Sequence, residues 1–350
     1  VWFGSRDSGL WKTTNYGKNW EEVTSFPEKG DYKQESNSIG ILWVTFDPTS
    51  GDMYVGVAMT DGTCIYKSTD GGDSWTALAA NAAGMYPLHA AFSGSGKLYL
   101  AYSDNCGPNL SPTAGAVYVY DTQSDRFTDI TPDLNDGRQG GFGGISVDVR
   151  NPDTVVVSTL GWWSDNGDNL YYTTDGGDSW SGLFNLNTKE NHYQMDTAQA
   201  EWLDWGRGEN QAKTGWWVAD VNINPFNSDE VMYGTGATIY STQNMTKIGT
   251  EPVTIAFDAY GLEETAVFKM LAPPSKDDSP QLYSIMGDLT GFAHKDVTQC
   301  PDDAHFMKNG KPTDLDVAFQ NPNTAVYLSE EKTTTINFTQ DGGATWETVK

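Results

Sequence analysis

Basic residues are scarce in this chain: 21 Lys and Arg stand against 47 Asp and Glu over 350 residues, a net charge of −26. That balance excludes a duplex or RNA partner, because phosphate binding needs a basic surface. An anionic bilayer would repel the chain for the same reason, so no membrane partner is expected. Cysteine is nearly missing. Cys64, Cys106 and Cys300 lie far apart and form no CxxC, so at most one disulfide and no zinc site are expected, with the pairing left open. The four His, at 89, 192, 294 and 305, show no HExxH spacing. No metal or other cofactor is expected. No apolar run approaches the roughly 18 residues that a spanning helix requires, and no signal-peptide pattern follows Val1.

Aromatic residues are plentiful, with 13 Trp and 17 Tyr. With so little positive charge, that profile suits a secreted protein that handles a neutral carbohydrate; a monomer is expected. Asn109, Asn244 and Asn337 open glycosylation sequons.

The chain also repeats itself. "YKSTDGGDSW" (Tyr66–Trp75) returns as "YYTTDGGDSW" (Tyr171–Trp180) and "NFTQDGGATW" (Asn337–Trp346). The common form is Ser/Thr-x-Asp-x-Gly-x-x-Trp, beginning at Ser68, Thr173 and Thr339, with a variant at Thr13 that carries Asn15 in the Asp slot. Successive copies are separated by 55, 105 and 166 residues, near one, two and three multiples of one unit. Weaker copies fall where that unit predicts them: "YDTQSDRF" at Tyr120, "STQNMTKI" at Ser241 and "MGDLTGF" at Met286. Repeats of this length signal an array or a propeller.

Each unit reads as four short strands. An apolar run, a Pro-containing turn and a second β-branched run precede the box, as in "VTFDPTSGDMYVGVA" and "ISVDVRNPDTVVVSTLG". The box joins two further strands, which makes a propeller blade. In the box the Asp accepts N–H groups of its own turn, and the Gly adopts a backbone conformation that other residues avoid. The Trp buries a flat ring against the hairpin. Asn15, Asp70, Asp175 and Asp341 are therefore read as structural, not catalytic.

Longer phrases are more specific. "FGSRDSGLWKTTNYGKNWEEVTSFP", "YPLHAAFS", "GFGGISVD", "GWWVADVNINPFNSDEVMYGTGATIY" and "MGDLTGFAHKD" occur in that order. Together they resemble glycoside hydrolase family 74, the xyloglucan-active endoglucanases and chain-end-specific cellobiohydrolases. The resemblance implies an all-β fold, a seven-bladed β-propeller with Asp-box (BNR) repeats in a two-propeller protein, with xyloglucan or a related β-glucan in the cleft between the propellers. It implies an internal fragment, with most of a first propeller in residues 1–250, the opening blades of a second in 251–350, and the crossing near Gly249–Glu251. The competing count places seven box-like positions, 13, 68, 120, 173, 241, 286 and 339, in one closed propeller.

The family cleaves backbone bonds with inversion, using two Asp. By the resemblance both lie outside this chain, so no catalytic residue is assigned. Asp7 in "SRDSGLW" and Asp288 in "MGDLTGF" imitate the catalytic phrase but read as turn residues. What should remain is half of a sugar cleft. Sugar rings stack on aromatics through their C–H faces. "GWWSD" and "TGWWVAD" nominate Trp162, Trp163, Trp216 and Trp217, on the expectation that adjacent strand residues face opposite sides. The resemblance to processive members raises Trp162 and Trp163 as substrate platforms. Trp43 and His89 are weaker candidates. The segment Ser181–Thr214, with Trp202 and Trp205, is expected to form a loop at the cleft rim or a disordered excursion. Endo and chain-end action are not distinguished.

Overall fold

The computed structural model describes residues 1–350 apart from 30–32, 35, 60–62, 80–81, 135–139, 163–165, 186, 200–212, 263–265, 275–277, 288–289, 302–310, 331–332 and 350. It is built from short antiparallel meanders. Sheet I comprises Trp2–Gly4, Leu10–Lys12 and Glu21–Glu22. Sheet II comprises Ile41–Phe46, Met53–Val57, Ile65–Ser68 and Thr76–Ala77. Sheet III comprises Tyr86–Phe92, Lys97–Ser103, Gly115–Asp121 and Arg126–Asp129. Sheet IV comprises Gly141–Val147, Val155–Leu160, Leu170–Thr173 and Ser181–Gly182. Sheet V runs Asp220–Asn224, Asn227–Gly234, Ile239–Thr242 and Val253–Phe257. Sheet VI holds Val267–Leu271, Leu282–Met286 and Thr290–His294, and sheet VII holds Lys311–Val317, Ala325–Glu330, Thr334–Thr339 and Glu347–Thr348.

The Pro-containing phrases are the turns between first and second strands. Asp47 Oδ1 accepts the N–H of Thr49 at 2.8 Å, and Asp148 Oδ1 accepts that of Arg150 at 2.8 Å. Such Asx turns reverse the chain without a ladder partner. The second strands of sheets II, III and IV are buried along almost their whole length because both of their faces are covered. In sheet II, Val55 and Val57 pack with Leu10, Val23 and Phe26 of the preceding unit, while Tyr54 packs with Leu98, Leu100 and Tyr102 of sheet III. The same alternation joins sheet III to sheet IV through Tyr99, Val117, Val155 and Val157.

The boxes do more than the hairpin closure expected from the sequence. Thr173 Oγ1 donates to Asp175 Oδ1 at 2.6 Å and accepts Gly177 N–H at 3.1 Å, while Asp175 accepts the N–H and hydroxyl of Ser179 at 2.9 and 2.5 Å. The boxes at Asp70 and Asp341 repeat this pattern, and Asn15 accepts Asn19 N–H at 2.9 Å. Two of the box Trp then reach back to the preceding unit. Trp180 Nε1 donates to Ile130 O at 2.8 Å, and Trp75 packs on Phe26 with ring centroids 4.9 Å apart. The box glycines permit this approach: at Gly177 (φ +99°) a Cβ would stand 2.7 Å from Ile130. The box is thus a clip between consecutive sheets.

The chain divides into two compact units, Val1–Asp196 with Thr214–Asp258, and Ala259–Lys350 with segment 197–213. Val253–Phe257 completes sheet V of the first unit, although it lies beyond residue 250. Sheets VI and VII share a core of Tyr283, Ile285, Leu315, Val317, Ala325 and Tyr327. Of the stretch Ser181–Thr214 expected as a loop, the described part as far as Asp196 is largely strand. Ser181–Gly182 ends sheet IV, Phe184–Asn185 pairs with Glu190–Asn191, and Tyr193–Asp196 lies parallel to Val253–Phe257 as a fifth strand of sheet V. The edge of sheet V offered free backbone groups, and this segment took them. Trp202 and Trp205 lie outside the described residues.

Candidate binding face

Loops that leave second strands and enter first strands meet at one end of the first unit. There Arg6, Leu42, Leu88, His89, Leu160 and Ala219 line a cavity of about 390 Å³. The first strands of sheets II and III shift register between Ile41 and Trp43 and between Pro87 and His89. Leu42 and Leu88 are the extra residues of those bulges, and both point into the cavity. A bulge re-aims side chains in this way, and no sequence pattern announced it. Burial pushes the His89 imidazole below its ordinary pKa, against the opposing charge of Asp220. Exposed Arg6 is held by a 2.8 Å hydrogen bond from Nε to Ser38 O. Sequence reasoning gave Arg6 and Asp220 no role.

Beside the cavity, the two Trp-rich phrases are tied into one knot by Asp168, which is 1% exposed. Its Oδ1 accepts Trp162 N–H at 2.9 Å and the Thr159 hydroxyl at 3.2 Å, and its Oδ2 accepts Val218 N–H at 3.1 Å. Asp168 N donates to Gly215 O at 2.8 Å, and Thr214 Oγ1 donates to Asp168 O at 2.6 Å. Gly167 (φ +89°) makes the crossing possible, since a Cβ there would stand 1.9 Å from Gly215 O. Burial raises the Asp168 carboxyl to about 6 despite these donors. The sequence hint was slight: a Gly-Asp-Asn just ahead of a strand.

The nominated residues separate on this frame. Trp162 is only 4% exposed and fills the space beside Gly140, so it cannot offer a ring face as a platform. Its backbone N–H is held by the buried Asp168 carboxylate. Trp163 lies outside the described residues, as does Asp288. Trp216 and Trp217 are half-buried but precede the strand Asp220–Asn224 instead of lying on it. Trp217 has φ +62°, and both rings flank Gly236, so the opposite-face expectation fails. They remain the aromatic surface of the knot. Trp43 is a strut: Nε1 donates to Pro87 O at 2.7 Å, and its ring occupies the space a Gly56 Cβ would need. His89 alone of the two weaker candidates lines the cavity.

Hydrogen bonds from Ser74, Ser179 and Thr345 hold Asp70, Asp175 and Asp341 down at about 2. A general acid must carry a proton at working pH, so these carboxylates are unsuited to that work. Asp168 would carry one near pH 6 but is closed off from any substrate. Asp7 is exposed and accepts the Ser8 hydroxyl at 2.9 Å, in its own turn.

No family model matches the chain. Among curated proteins it is 37% identical to a xyloglucanase of Paenibacillus sp, over 99% of this chain and 36% of that protein. It is 36% identical to xyloglucanase Xgh74A of Acetivibrio thermocellus, over 99% and 44%. It is 34% identical to an oligoxyloglucan-reducing end-specific xyloglucanase of Emericella nidulans, over 85% and 42%. The chain therefore spans less than half the length of these relatives. Among solved structures, the GH74 xyloglucanase from Xanthomonas campestris superposes with a TM-score of 0.82 at 29% identity, over 99% of this chain and 50% of that one. The GH74 enzyme of Niastella koreensis gives 0.83 at 28% identity, over 99% and 48%.

Proposed function

Since the chain is a homologue of the family 74 glycoside hydrolases across 99% of its length, we propose that the protein carrying it cleaves β-1,4-glucan backbone bonds of xyloglucan. The observation that carries this is homology to named xyloglucanases running through both compact units. The first unit supports it with a half-buried Trp pair beside a cavity of about 390 Å³, in a chain poor in positive charge. Such a surface suits a neutral, hydroxyl-rich polymer.

On this reading the enzyme inverts. One carboxylic acid protonates the leaving oxygen and a second carboxylate activates water, with roughly 6.5–9.5 Å between them. Both belong to segments outside residues 1–350, and the reaction takes place in a cleft between two propellers. Residues 1–350 supply binding surface, with Trp216, Trp217 and His89 as the contacting groups. The protein works outside the cell as a monomer and needs no cofactor. Incubation of the full-length protein with xyloglucan should release reducing sugar, while the 350-residue chain alone should bind xyloglucan and release none. No release by the full-length protein would remove the enzyme and leave a non-catalytic glycan- or protein-binding propeller. Turnover by the chain alone would put the acid and base within it.

A further inference from the structure

Two segments far apart in sequence meet at the binding face: one carries the buried Trp162 and Asn166–Asp168, the other the half-buried Trp216 and Trp217. Among the described residues, one carboxylate accepts backbone N–H groups from both. Asp168 Oδ1 holds the first loop through Trp162 N–H, and Oδ2 holds the second through Val218 N–H. Thr159, Thr214 and Val218 around it are all 1% exposed or less, so water cannot substitute for a lost donor or acceptor. The chain could have closed this corner with an apolar residue at lower desolvation cost. A two-oxygen acceptor does what an apolar residue cannot: it fixes the orientation of two backbones at once.

We infer that Asp168 is a positioning residue, which makes the Trp162 loop and the Trp216–Trp217 loop a single rigid platform for the polymer. The sugar-binding half of this inference rests on the xyloglucan reading above; the mechanical half does not. Trp162 acts from below as a buried support, and the partly exposed Trp216 and Trp217 meet the ligand. Because a sugar ring must lie flat on an indole, a small tilt of these rings costs contact with every residue of the glycan they carry.

Asp168→Asn separates the two oxygens. The amide keeps one acceptor and presents an NH₂ to the remaining N–H donor, so one limb of the clamp is lost while volume is preserved. The chain is labelled with 5-fluorotryptophan, and the resonances of positions 162, 216, 217, 180 and 346 are assigned by Trp→Phe variants. In Asp168→Asn the signals of both loops should move, while those of Trp180 and Trp346 in the boxes stay. Movement confined to one loop, or none, overturns the clamp. Should Asp168→Asn fail to fold, Thr214→Val provides the same readout, since it removes the hydroxyl that bridges Asn166 O and Asp168 O. In the full-length protein, KM for xyloglucan should rise about tenfold in Asp168→Asn with kcat within about twofold, the signature of lost binding. Unchanged KM, or equal losses in binding and turnover, would overturn the positioning role. If the wild-type protein neither binds nor cleaves xyloglucan, the functional reading fails, and the fluorine result still decides whether the loops are coupled.

Discussion

Sheets IV and VII are built to one plan and end in different environments. Both carry the box at the same register: Val155 pairs with Thr173 and Val156 with Tyr172 in sheet IV, as Ala325 pairs with Thr339 and Val326 with Phe338 in sheet VII. The face turned toward the preceding sheet is buried in both, through Val155 and Val157 in one and Ala325 and Tyr327 in the other. The opposite faces part company. Val156 and Leu170 are 0% and 1% exposed, whereas Val326 and Ile336 stand at 37% and 45%. Sheet V lies over sheet IV, with Ile223 N–H on Ser146 Oγ at 3.1 Å and Arg150 Nη1 on Phe226 O at 2.9 Å. The box clips a sheet backward only. Its forward face depends on whatever packs there.

The largest test of this difference places a charge on each forward face. Val156→Asp should cost more than about 4 kcal/mol, because the carboxylate is buried without a partner. Val326→Asp should stay within about 1 kcal/mol. Urea unfolding of the two variants measures both, and equal losses would erase the distinction.

A second contrast is in pH dependence. The Asp168 carboxyl is raised in the folded protein to about 6 from an ordinary 3.8. A raised carboxyl stabilises the fold below its unfolded value, and that contribution is lost as pH rises through about 6. The stability of the first unit should therefore fall between pH 4 and pH 6, by on the order of 2–3 kcal/mol, and Asp168→Asn should flatten the curve. Sheet VII carries Thr334 at the matching position and should show no such slope. The box carboxylates, held at about 2, act in the opposite sense, retaining their contribution until strong acid.

The smallest expected effect concerns what the sheets share. Thr173 and Thr339 are both buried and bond the same turn atoms. Thr173→Ala and Thr339→Ala should each cost about 1–2 kcal/mol by the loss of one buried hydroxyl. Calorimetry showing unequal costs would mean that the box senses its sheet's forward neighbour after all.

Much of the fold could be read before any coordinates, because its signals are local. A turn of Thr-x-Asp-x-Gly closes on atoms within four residues, so the letters alone specify it. The Asp47 and Asp148 turns, and the strand runs on either side of them, are legible for the same reason. The binding face was legible only as composition. Trp162 looked like a platform because its neighbours in sequence say nothing of Asp168, six residues on, or of Val218, fifty residues beyond that. Trp216 and Trp217 were misassigned to a strand, since a left-handed φ at a non-glycine residue is fixed by the surrounding packing and not by the residue.

The sequence by itself thus determined the repeating strands and the hydrogen-bonded box turns, since each is settled by bonds across a few residues of chain. Tertiary structure alone decided which indoles are supports and which are surface, that the segment after Ser181 adds a strand to sheet V, and that two bulges aim Leu42 and Leu88 into one cavity. Those outcomes depend on groups brought together from distant parts of the chain, where burial and unpaired backbone atoms, and not local propensity, set the energy.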